Sequence, residues 1–179
     1  IIYAADNLGY IYALDINSGS LIWAKNYGIP FRSNIKFHDN QIFLASQDNI
    51  LYSVNPSNGE KNWQLSTSLT FLKSEFKNNI ALDELNNNII FLNTSGELYS
   101  INYVTQRINW VLNFKNLSQQ NEANLFLSQP VVIKDETVIV STDKSLLSYN
   151  VISGARNWNK IVAPILKPVI TQNNIFTFT

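Results

Sequence analysis

The sequence predicts an all-β fold, a β-propeller built from four-stranded antiparallel blades. The four tryptophans, Trp23, Trp63, Trp110 and Trp158, lie 40, 47 and 48 residues apart, a period typical of propeller blades. Short apolar runs alternate with polar residues and are broken by Asn, Asp, Gly and Ser, which is the pattern of short strands joined by turns. No segment shows the apolar periodicity of a helix of useful length.

Each tryptophan closes an eleven-residue phrase that runs from one predicted strand, through a turn, to the next strand. An Asp or Asn lies eight residues before each Trp, at Asp15, Asn55, Asn102 and Asn150. We expect this side chain to accept hydrogen bonds from the backbone amides of the turn. The residue four before the Trp is Gly19, Gly59, Gln106 or Gly154.

These residue types predict a structural role for the phrase. Glycine adopts a left-handed backbone conformation at little cost, so the copy with Gln106 predicts an altered or mildly strained turn. The tryptophan lies on the outermost strand of its blade, where a ring of that size can cover the seam to the neighbouring blade. The phrases therefore predict a series of blades held together at their outer strands.

The strand pattern divides the chain into one partial propeller over residues 1–179. The predicted blades cover about 1–28, 32–67, 77–115, 129–161 and 166–179. The first blade lacks its first strand, and the fifth contains only its first two strands. Because open sheet edges invite pairing, we expect self-association of two chains or closure of the strand at 167–170 onto the first blade.

Two connections are longer than the others, at about 67–76 and 115–128. Each joins the last strand of one blade to the first strand of the next, so we expect both to emerge on the same face. Long loops in compact domains are often functional. The apolar residues that they carry are the predicted partner-binding residues, namely Leu72, Phe76, Leu125 and Phe126.

Composition excludes several classes of function. The formal net charge is zero and charged residues make up 15% of the chain, so no basic face for nucleic acid is predicted. Without cysteine, disulfides, thiolate nucleophiles and cysteine metal sites are excluded. No apolar run is long enough to span a membrane, and no signal peptide is visible. The chain contains no methionine, so we expect it to be part of a longer product whose targeting segment lies upstream.

No constellation for catalysis or for cofactor or metal binding is predicted. His38 is the only histidine, and a single turn histidine is weak evidence for a catalytic relay. The acidic pairs Asp83–Glu84 and Asp135–Glu136 follow predicted strands, where we expect solvated charges, and neither forms a calcium loop. The chain is therefore predicted not to be an enzyme, although a catalytic part could lie in blades that it lacks.

The phrase is clearest in the first copy, which reads Tyr12-Ala-Leu-Asp15 with Ser18-Gly19 and Trp23. In this form it resembles the tryptophan-docking repeat of the PQQ-like β-propeller family. The resemblance covers the whole chain, and the third copy is degenerate. Complete members carry seven or eight blades, so the resemblance implies that about four of them are present here. Quinone-binding members hold the cofactor beside a vicinal cysteine pair, which this chain cannot form.

Within that family the chain is similar to outer-membrane assembly lipoproteins of the BamB type. This resemblance implies a non-catalytic scaffold for protein–protein interaction, with an outer-membrane assembly component as partner. It also implies a periplasmic location, with a lipid anchor to the outer membrane in the full-length protein. Two alternatives remain open at this point: a fragment of a PQQ-dependent dehydrogenase, and the propeller sensor domain of a signalling protein.

Overall fold

The computed structural model of the protein describes residues 1–68, 77–114, 128–172 and 174–179. These residues form an all-β fold, a partial β-propeller, with seventeen strands in five antiparallel sheets. The chain divides into two compact units, residues 1–80 and residues 81–179. Consecutive strands are neighbours in every sheet, so each sheet is a simple meander.

The first unit contains two blades. Blade one is a three-stranded sheet of β1 (Ile2–Ala5), β2 (Tyr10–Leu14) and β3 (Leu21–Asn26). Blade two is a four-stranded sheet of β4 (Lys36–His38), β5 (Gln41–Ala45), β6 (Ile50–Val54) and β7 (Lys61–Ser66). The boundary between the units lies within the first strand of blade three.

The remaining sheets are two complete blades and a hairpin. Blade three consists of β8 (Asn79–Asp83), β9 (Asn88–Leu92), β10 (Glu97–Asn102) and β11 (Arg107–Asn113). Blade four consists of β12 (Val132–Lys134), β13 (Thr137–Ser141), β14 (Leu146–Asn150) and β15 (Arg156–Lys160). The terminal hairpin is β16 (Val169–Ile170) with β17 (Ile175–Phe176).

Turn chemistry explains where the strands begin and end. The hairpin between β4 and β5 closes with the pair His38–Gln41, so its loop has two residues, Asp39 and Asn40. Both have positive φ, 47° and 54°, as the hairpin turn that matches strand twist requires. Asp and Asn tolerate this region better than other residues with a Cβ. The local sequence therefore fixes the register of this hairpin.

The third and fourth strands of every complete blade pair in the same irregular way. A β-bulge interrupts each pairing directly after the residue opposite the tryptophan, as at Ser53, which pairs with Trp63. The corresponding pairs are Ala13–Trp23, Ser100–Trp110 and Ser148–Trp158. Bulges increase local twist and redirect side chains. The tryptophan is thus at an equivalent position of the sheet in all four copies.

Each unit has its own apolar core at the seam between two blades. In the first unit, the inward faces of blades one and two meet around a set of buried residues: Ile11, Phe31, Ile42, Leu44, Tyr52 and Val54. In the second unit, blade three packs on blade four through Ile90, Leu92, Leu98, Val138, Val140, Leu147 and Tyr149. Fully burying side chains of this size contributes about 1.5–3 kcal/mol each, so these seams stabilise the blade pairs.

One expectation from the sequence is wrong in the described residues. The strand near 167–170 does not close onto blade one, because Val169 and Ile170 pair with Phe176 and Ile175 in the terminal hairpin. The sheet of blade one contains only β1, β2 and β3 among the described strands. The physical reason is proximity along the chain, since a short hairpin closes at a smaller entropy cost than a long-range pairing.

Candidate functional site

The repeated contact in this structure is a dock between a tryptophan and the turn of the next blade. In the first unit, the Trp23 indole N–H donates to the carbonyl oxygen of Pro56 at 2.9 Å. In the second unit, the Trp110 indole N–H donates to the carbonyl oxygen of Val151 at 3.1 Å. In both docks the accepting residue directly follows the Asn that opens the phrase. Each dock pairs a large apolar ring with a satisfied indole N–H.

The glycine of each phrase is the surface on which the neighbouring ring rests. A Cβ built on Gly59 would lie 2.6 Å from Cζ3 of Trp23, and one built on Gly154 would lie 2.9 Å from Cδ2 of Trp110. Both glycines have a positive φ, 71° and 70°. Two separate reasons therefore favour glycine at these positions: the left-handed backbone conformation, and the ring that occupies the place of a Cβ atom.

The Asp or Asn of each phrase shapes the turn that carries the acceptor. Asp15 Oδ1 accepts from the amides of Asn17 and Ser18 at 3.0 and 2.8 Å. Asn150 Oδ1 accepts from the amides of Ile152 and Ser153 at 3.1 and 2.9 Å. Asn55 and Asn102 hold their turns in the same way. These bonds lower the pKa of the Asp15 carboxyl, chiefly through the Ser18 amide.

Gln106 keeps the turn of the third copy in the standard form. Its φ is 59°, close to that of the glycine in the other copies. The Asn102 side chain accepts from the amides of Val104 and Thr105 at 3.2 and 2.8 Å, so the capping bonds are retained. The departure from glycine therefore appears as backbone strain and not as a different turn.

A tyrosine supports the dock of the first unit. The Tyr27 hydroxyl donates to the carbonyl oxygen of Gly59 at 2.9 Å. Its ring lies edge-on to Phe31 and Tyr52, with centroids 5.5 Å from each. Burial raises the pKa of Tyr27 to about 12. The protonated hydroxyl is thus the form that this seam stabilises.

A second polar contact of the repeat is absent from the sequence predictions. The Asn before the tryptophan donates to the serine opposite that tryptophan: Asn62 to Ser53 at 3.1 Å, Asn109 to Ser100 at 3.2 Å and Asn157 to Ser148 at 3.2 Å. Copy one has Ala13 and Ile22 in these places. Three copies have both the Ser and the Asn, and the first copy has neither. This joint pattern is the signal in the sequence that could have predicted the Asn–Ser hydrogen bond.

Gly19 and Trp158 do not take part in a dock of this kind among the described residues. Gly19 has no atom within 4 Å of its Cβ position. Trp158 lines a cavity of about 250 Å³ between blade four and the terminal hairpin, together with Ile170 and Ile175.

The acidic pairs and the histidine do not assemble into a reactive centre. The expectation that Asp83 is a solvated charge is wrong: it is buried, and the side-chain amide of Asn86 donates to it at 2.9 Å. Its pair partner Glu84 is exposed, as are Asp135 and Glu136. His38 ends β4 in a partly buried position. The described residues contain no group of three or more His, Cys, Asp or Glu placed to hold a metal ion.

The predicted partner-binding residues Leu72, Phe76, Leu125 and Phe126 lie outside the described residues. A third connection of the same kind, between blade four and the terminal hairpin, is described. It exposes Ile161, Ile165 and Leu166 by 92%, 63% and 53%. The Ile165 amide donates to the carbonyl oxygen of Phe178 at 2.9 Å, so this connection is held against the hairpin. Sequence reasoning missed it because it is short, and its signal was the apolar run after Lys160.

No described helix is long and apolar enough to cross a membrane.

Comparison with known proteins identifies a family for the whole chain and a curated relative for part of it. The model of the family described as outer membrane protein assembly factor BamB matches residues 1–179. An outer membrane protein assembly factor BamB of Legionella pneumophila (strain Paris) is 36% identical over 69 residues, which are 38% of this chain and 17% of that protein. The chain therefore spans a small part of this curated relative.

Solved structures share the fold over nearly the entire chain. BamB from Moraxella catarrhalis superposes with a TM-score of 0.72 at 14% identity, covering 98% of this chain and 51% of that one. Saccharomyces cerevisiae Sqt1 gives 0.76 at 11% identity, covering 98% and 52%. The computationally designed Ika8 protein gives 0.72 at 8% identity, covering 98% and 51%. The chain thus spans about half the length of these proteins, and at these identities the likeness concerns the fold.

Proposed function

Because the chain belongs to the family of the outer membrane protein assembly factor BamB, we propose that it is a non-catalytic propeller scaffold that binds a protein of outer-membrane assembly. The observation that carries the proposal is the match of the family model to all 179 residues. The Legionella relative, which is 36% identical over 69 residues, carries the same description and supports the same proposal. A periplasmic location, with a lipid anchor outside this segment, is part of the same proposal.

The residues of the site support binding over chemistry. The contact that repeats within the chain holds neighbouring blades together. In each dock a tryptophan ring packs on the next blade and its N–H donates to a carbonyl oxygen there. Among the acidic side chains described above, Glu84, Asp135 and Glu136 are exposed, and Asp83 accepts hydrogen bonds from side-chain amides. Loops held by a scaffold of strands are a common architecture for binding surfaces.

We place the partner-binding surface on the connections that join the last strand of one blade to the first strand of the next. The described example exposes two isoleucines and a leucine on one short segment, Ile161, Ile165 and Leu166. Exposed apolar side chains on one segment, which exposed Lys160 and Lys167 flank in sequence, favour a protein interaction site. The predicted residues Leu72, Phe76, Leu125 and Phe126 belong to connections of the same class.

The proposal is tested by photo-crosslinking from the connection in a bacterial envelope. A photoreactive amino acid at position 161 is expected to crosslink to a protein of the outer-membrane assembly machinery, identified by mass spectrometry. The matched control is position 85, because Leu85 is 87% exposed but lies in the turn after β8, at the opposite end of its blade. Assembly proteins captured equally from both positions, or from neither, would contradict the proposed surface.

Substitution provides the second arm of the test. The double change Ile161→Ser and Leu166→Ser is expected to weaken partner capture, because two apolar side chains that are more than half exposed are lost from the proposed surface. Leu85→Ser is the control and is expected to leave capture unchanged. The same comparison with Leu72, Phe76, Leu125 and Phe126 changed to Ser tests the predicted loops. Unchanged capture in every variant would remove the connections from the interface.

A further inference from the structure

The turn between β6 and β7 carries the one Asn-Gly pair of the sequence, Asn58-Gly59. The backbone nitrogen of a residue that follows asparagine can attack the side-chain carbonyl carbon, which expels ammonia and closes a five-membered succinimide ring. Glycine favours this attack, because it has no side chain to obstruct it and its backbone rotates most freely. Asn58 is exposed, so water reaches its side chain.

The other copies of the phrase lack this pair. Their turns have a hydroxyl side chain at the position of Asn58, and it donates to the Asp or Asn that opens the phrase: Ser18 to Asp15 at 2.9 Å, Thr105 to Asn102 at 3.0 Å and Ser153 to Asn150 at 3.0 Å. Asn55, in the same turn as Asn58, precedes Pro56, which has no backbone N–H and cannot close the ring. Asn58 is therefore the asparagine of these turns that precedes a glycine.

The folded turn restrains both partners of the reaction. The Gly59 amide donates to the carbonyl oxygen of Asn55 at 2.9 Å. The Asn58 side chain is held on Glu60, since its Oδ1 accepts from the Glu60 amide at 3.0 Å and its Nδ2 donates to Glu60 Oε2 at 3.2 Å. Attack requires the Gly59 nitrogen to give up its hydrogen bond and its proton, and it requires the side chain of Asn58 to leave Glu60.

The Trp23 dock holds this turn closed. The ring occupies the place of a Cβ on Gly59, with Cζ3 2.6 Å from that position. The Trp23 N–H donates to the carbonyl oxygen of Pro56, and the Tyr27 hydroxyl donates to the carbonyl oxygen of Gly59, both at 2.9 Å. Residues on both sides of Asn58 are thus bonded to blade one. Because local opening must break these contacts before the turn can rearrange, the dock controls how often the reactive geometry is reached.

The products of the reaction do not fit the dock. Water opens the succinimide at either carbonyl carbon, so one water is consumed and one ammonia is released, with no change of oxidation state. Opening at one carbon gives aspartate, whose carboxylate replaces the Nδ2 donor beside Glu60, so that repulsion of like charges replaces a hydrogen bond. Opening at the other gives isoaspartate, in which the backbone is one methylene longer. That methylene lies between the Pro56 carbonyl and Gly59, the two groups that Trp23 contacts.

We propose that Asn58 is a site of spontaneous deamidation, that the Trp23 dock suppresses the reaction, and that isoaspartate formed at this site opens the dock. The turn thus couples a slow covalent change, with water as the reactant, to the contact between blades one and two. The inference is independent of the proposed function, since it concerns this contact and needs no partner protein.

Peptide mapping by mass spectrometry, with enzymatic methylation of isoaspartate, tests the site. The 179-residue chain is incubated at mildly alkaline pH, either folded or in urea. We expect modification of Asn58 in urea and a rate roughly tenfold lower or less in the folded chain, because a closed turn reacts only in its open fraction. Equal rates in the two states, or an unmodified Asn58 in urea, would overturn the proposal.

Two tryptophan variants separate the dock from overall stability. Trp23→Leu removes the ring and its N–H bond, so it is expected to accelerate modification of Asn58 in the folded chain roughly tenfold. Trp110→Leu opens the corresponding dock of the other unit and is the matched control, expected to leave the rate at Asn58 unchanged. Equal acceleration by both variants would show that only overall unfolding frees Asn58, and would overturn the role of the dock.

A milder variant serves if Trp23→Leu does not fold. Tyr27→Phe removes only the hydroxyl that donates to the Gly59 carbonyl. It is expected to accelerate modification of Asn58 about fivefold, the effect of losing one hydrogen bond across the seam. An unchanged rate in a folded Tyr27→Phe chain would likewise overturn the role of the dock.

The modified chain tests the effect of the product. It separates from the unmodified chain by ion exchange, because it carries an added negative charge. We expect the isoaspartate form to exchange its Trp23 indole N–H faster, with exchange at Trp110 unchanged. Asn58→Asp supplies the charge without the longer backbone and is expected to give a smaller acceleration. Asn58→Ser, the residue of the first and fourth copies, is expected to stay unmodified with slow exchange at Trp23. Unchanged exchange at Trp23 in the isoaspartate form would overturn the coupling.

Discussion

Gly59→Ala is the perturbation that measures what a tryptophan dock contributes to folding. Alanine in the left-handed region costs about 1–2 kcal/mol, whether or not anything lies above it. At Gly59 the new Cβ would also lie 2.6 Å from the Trp23 ring, so the ring must move by roughly 1 Å to reach an ordinary contact distance. Overpacking of this kind costs about 1–3 kcal/mol.

The control separates these two costs. Gly28 has a φ of 72°, against 71° at Gly59, and nothing within 4 Å of its Cβ position. Gly28→Ala should therefore show only the backbone cost. We expect Gly59→Ala to lower the free energy of unfolding by about 1–3 kcal/mol more than Gly28→Ala does.

The assay is equilibrium unfolding in urea, followed by far-UV circular dichroism and by tryptophan fluorescence. A Trp23→Leu background supplies the remaining corner of a mutant cycle, in which the extra cost of Gly59→Ala should disappear because the ring is gone. Equal losses at Gly59 and Gly28, or an extra cost that persists without Trp23, would refute the reasoning.

Three further changes test other parts of the repeat. Gln106→Gly should raise the free energy of unfolding by about 0.5–1 kcal/mol, because a residue at φ 59° is relieved of strain, and a lower urea midpoint would contradict this. Asp15→Asn introduces the residue of the other copies and should make the free energy of unfolding less sensitive to acid. The pKa of Asp15 is lowered in the folded state, so its stabilisation is present above pH 3.8 and is lost below it. An unchanged midpoint of acid unfolding would contradict this. The pKa of Tyr27 is raised to about 12, so its stabilisation is present below pH 10 and lost between pH 10 and 12. Tyr27→Phe should flatten the alkaline decline of the unfolding free energy, and an unchanged slope would contradict it.

The strand order could be predicted from the sequence because it depends on local patterns. Alternation and turn residues predict short strands joined by turns, and the described residues form such strands, each paired with its neighbour in the chain. One role of the glycines could be predicted, because a turn requires a residue in the left-handed conformation at that position. Their contact with a tryptophan ring could not, because the ring above Gly59 belongs to another blade. The group that packs against a residue depends on the tertiary structure and cannot be read from the periodicity of the sequence.

The burial of Asp83 and the exposure of Ile161 also could not be predicted from local sequence patterns, because both depend on the tertiary structure. Asp83 follows a strand and looks solvated in sequence, yet it is buried because Asn86 and Asn88 are placed to donate to it. Ile161 was not singled out because its connection is short, although its side chain is 92% exposed. Burial depends on neighbours brought in by the fold, and apolar character alone does not set it.

Hydrogen exchange at the indole N–H groups tests the central claim, that Trp23 and Trp110 are each docked on the turn of the next blade. The account predicts slow exchange at Trp23 and Trp110 in the native protein, because both N–H groups are bonded to carbonyls across a seam. It further predicts that Gly59→Ala accelerates exchange at Trp23 more than at Trp110, and that Gly154→Ala does the reverse. Fast exchange at both tryptophans in the unmodified protein, or equal acceleration of both by either variant, would contradict it.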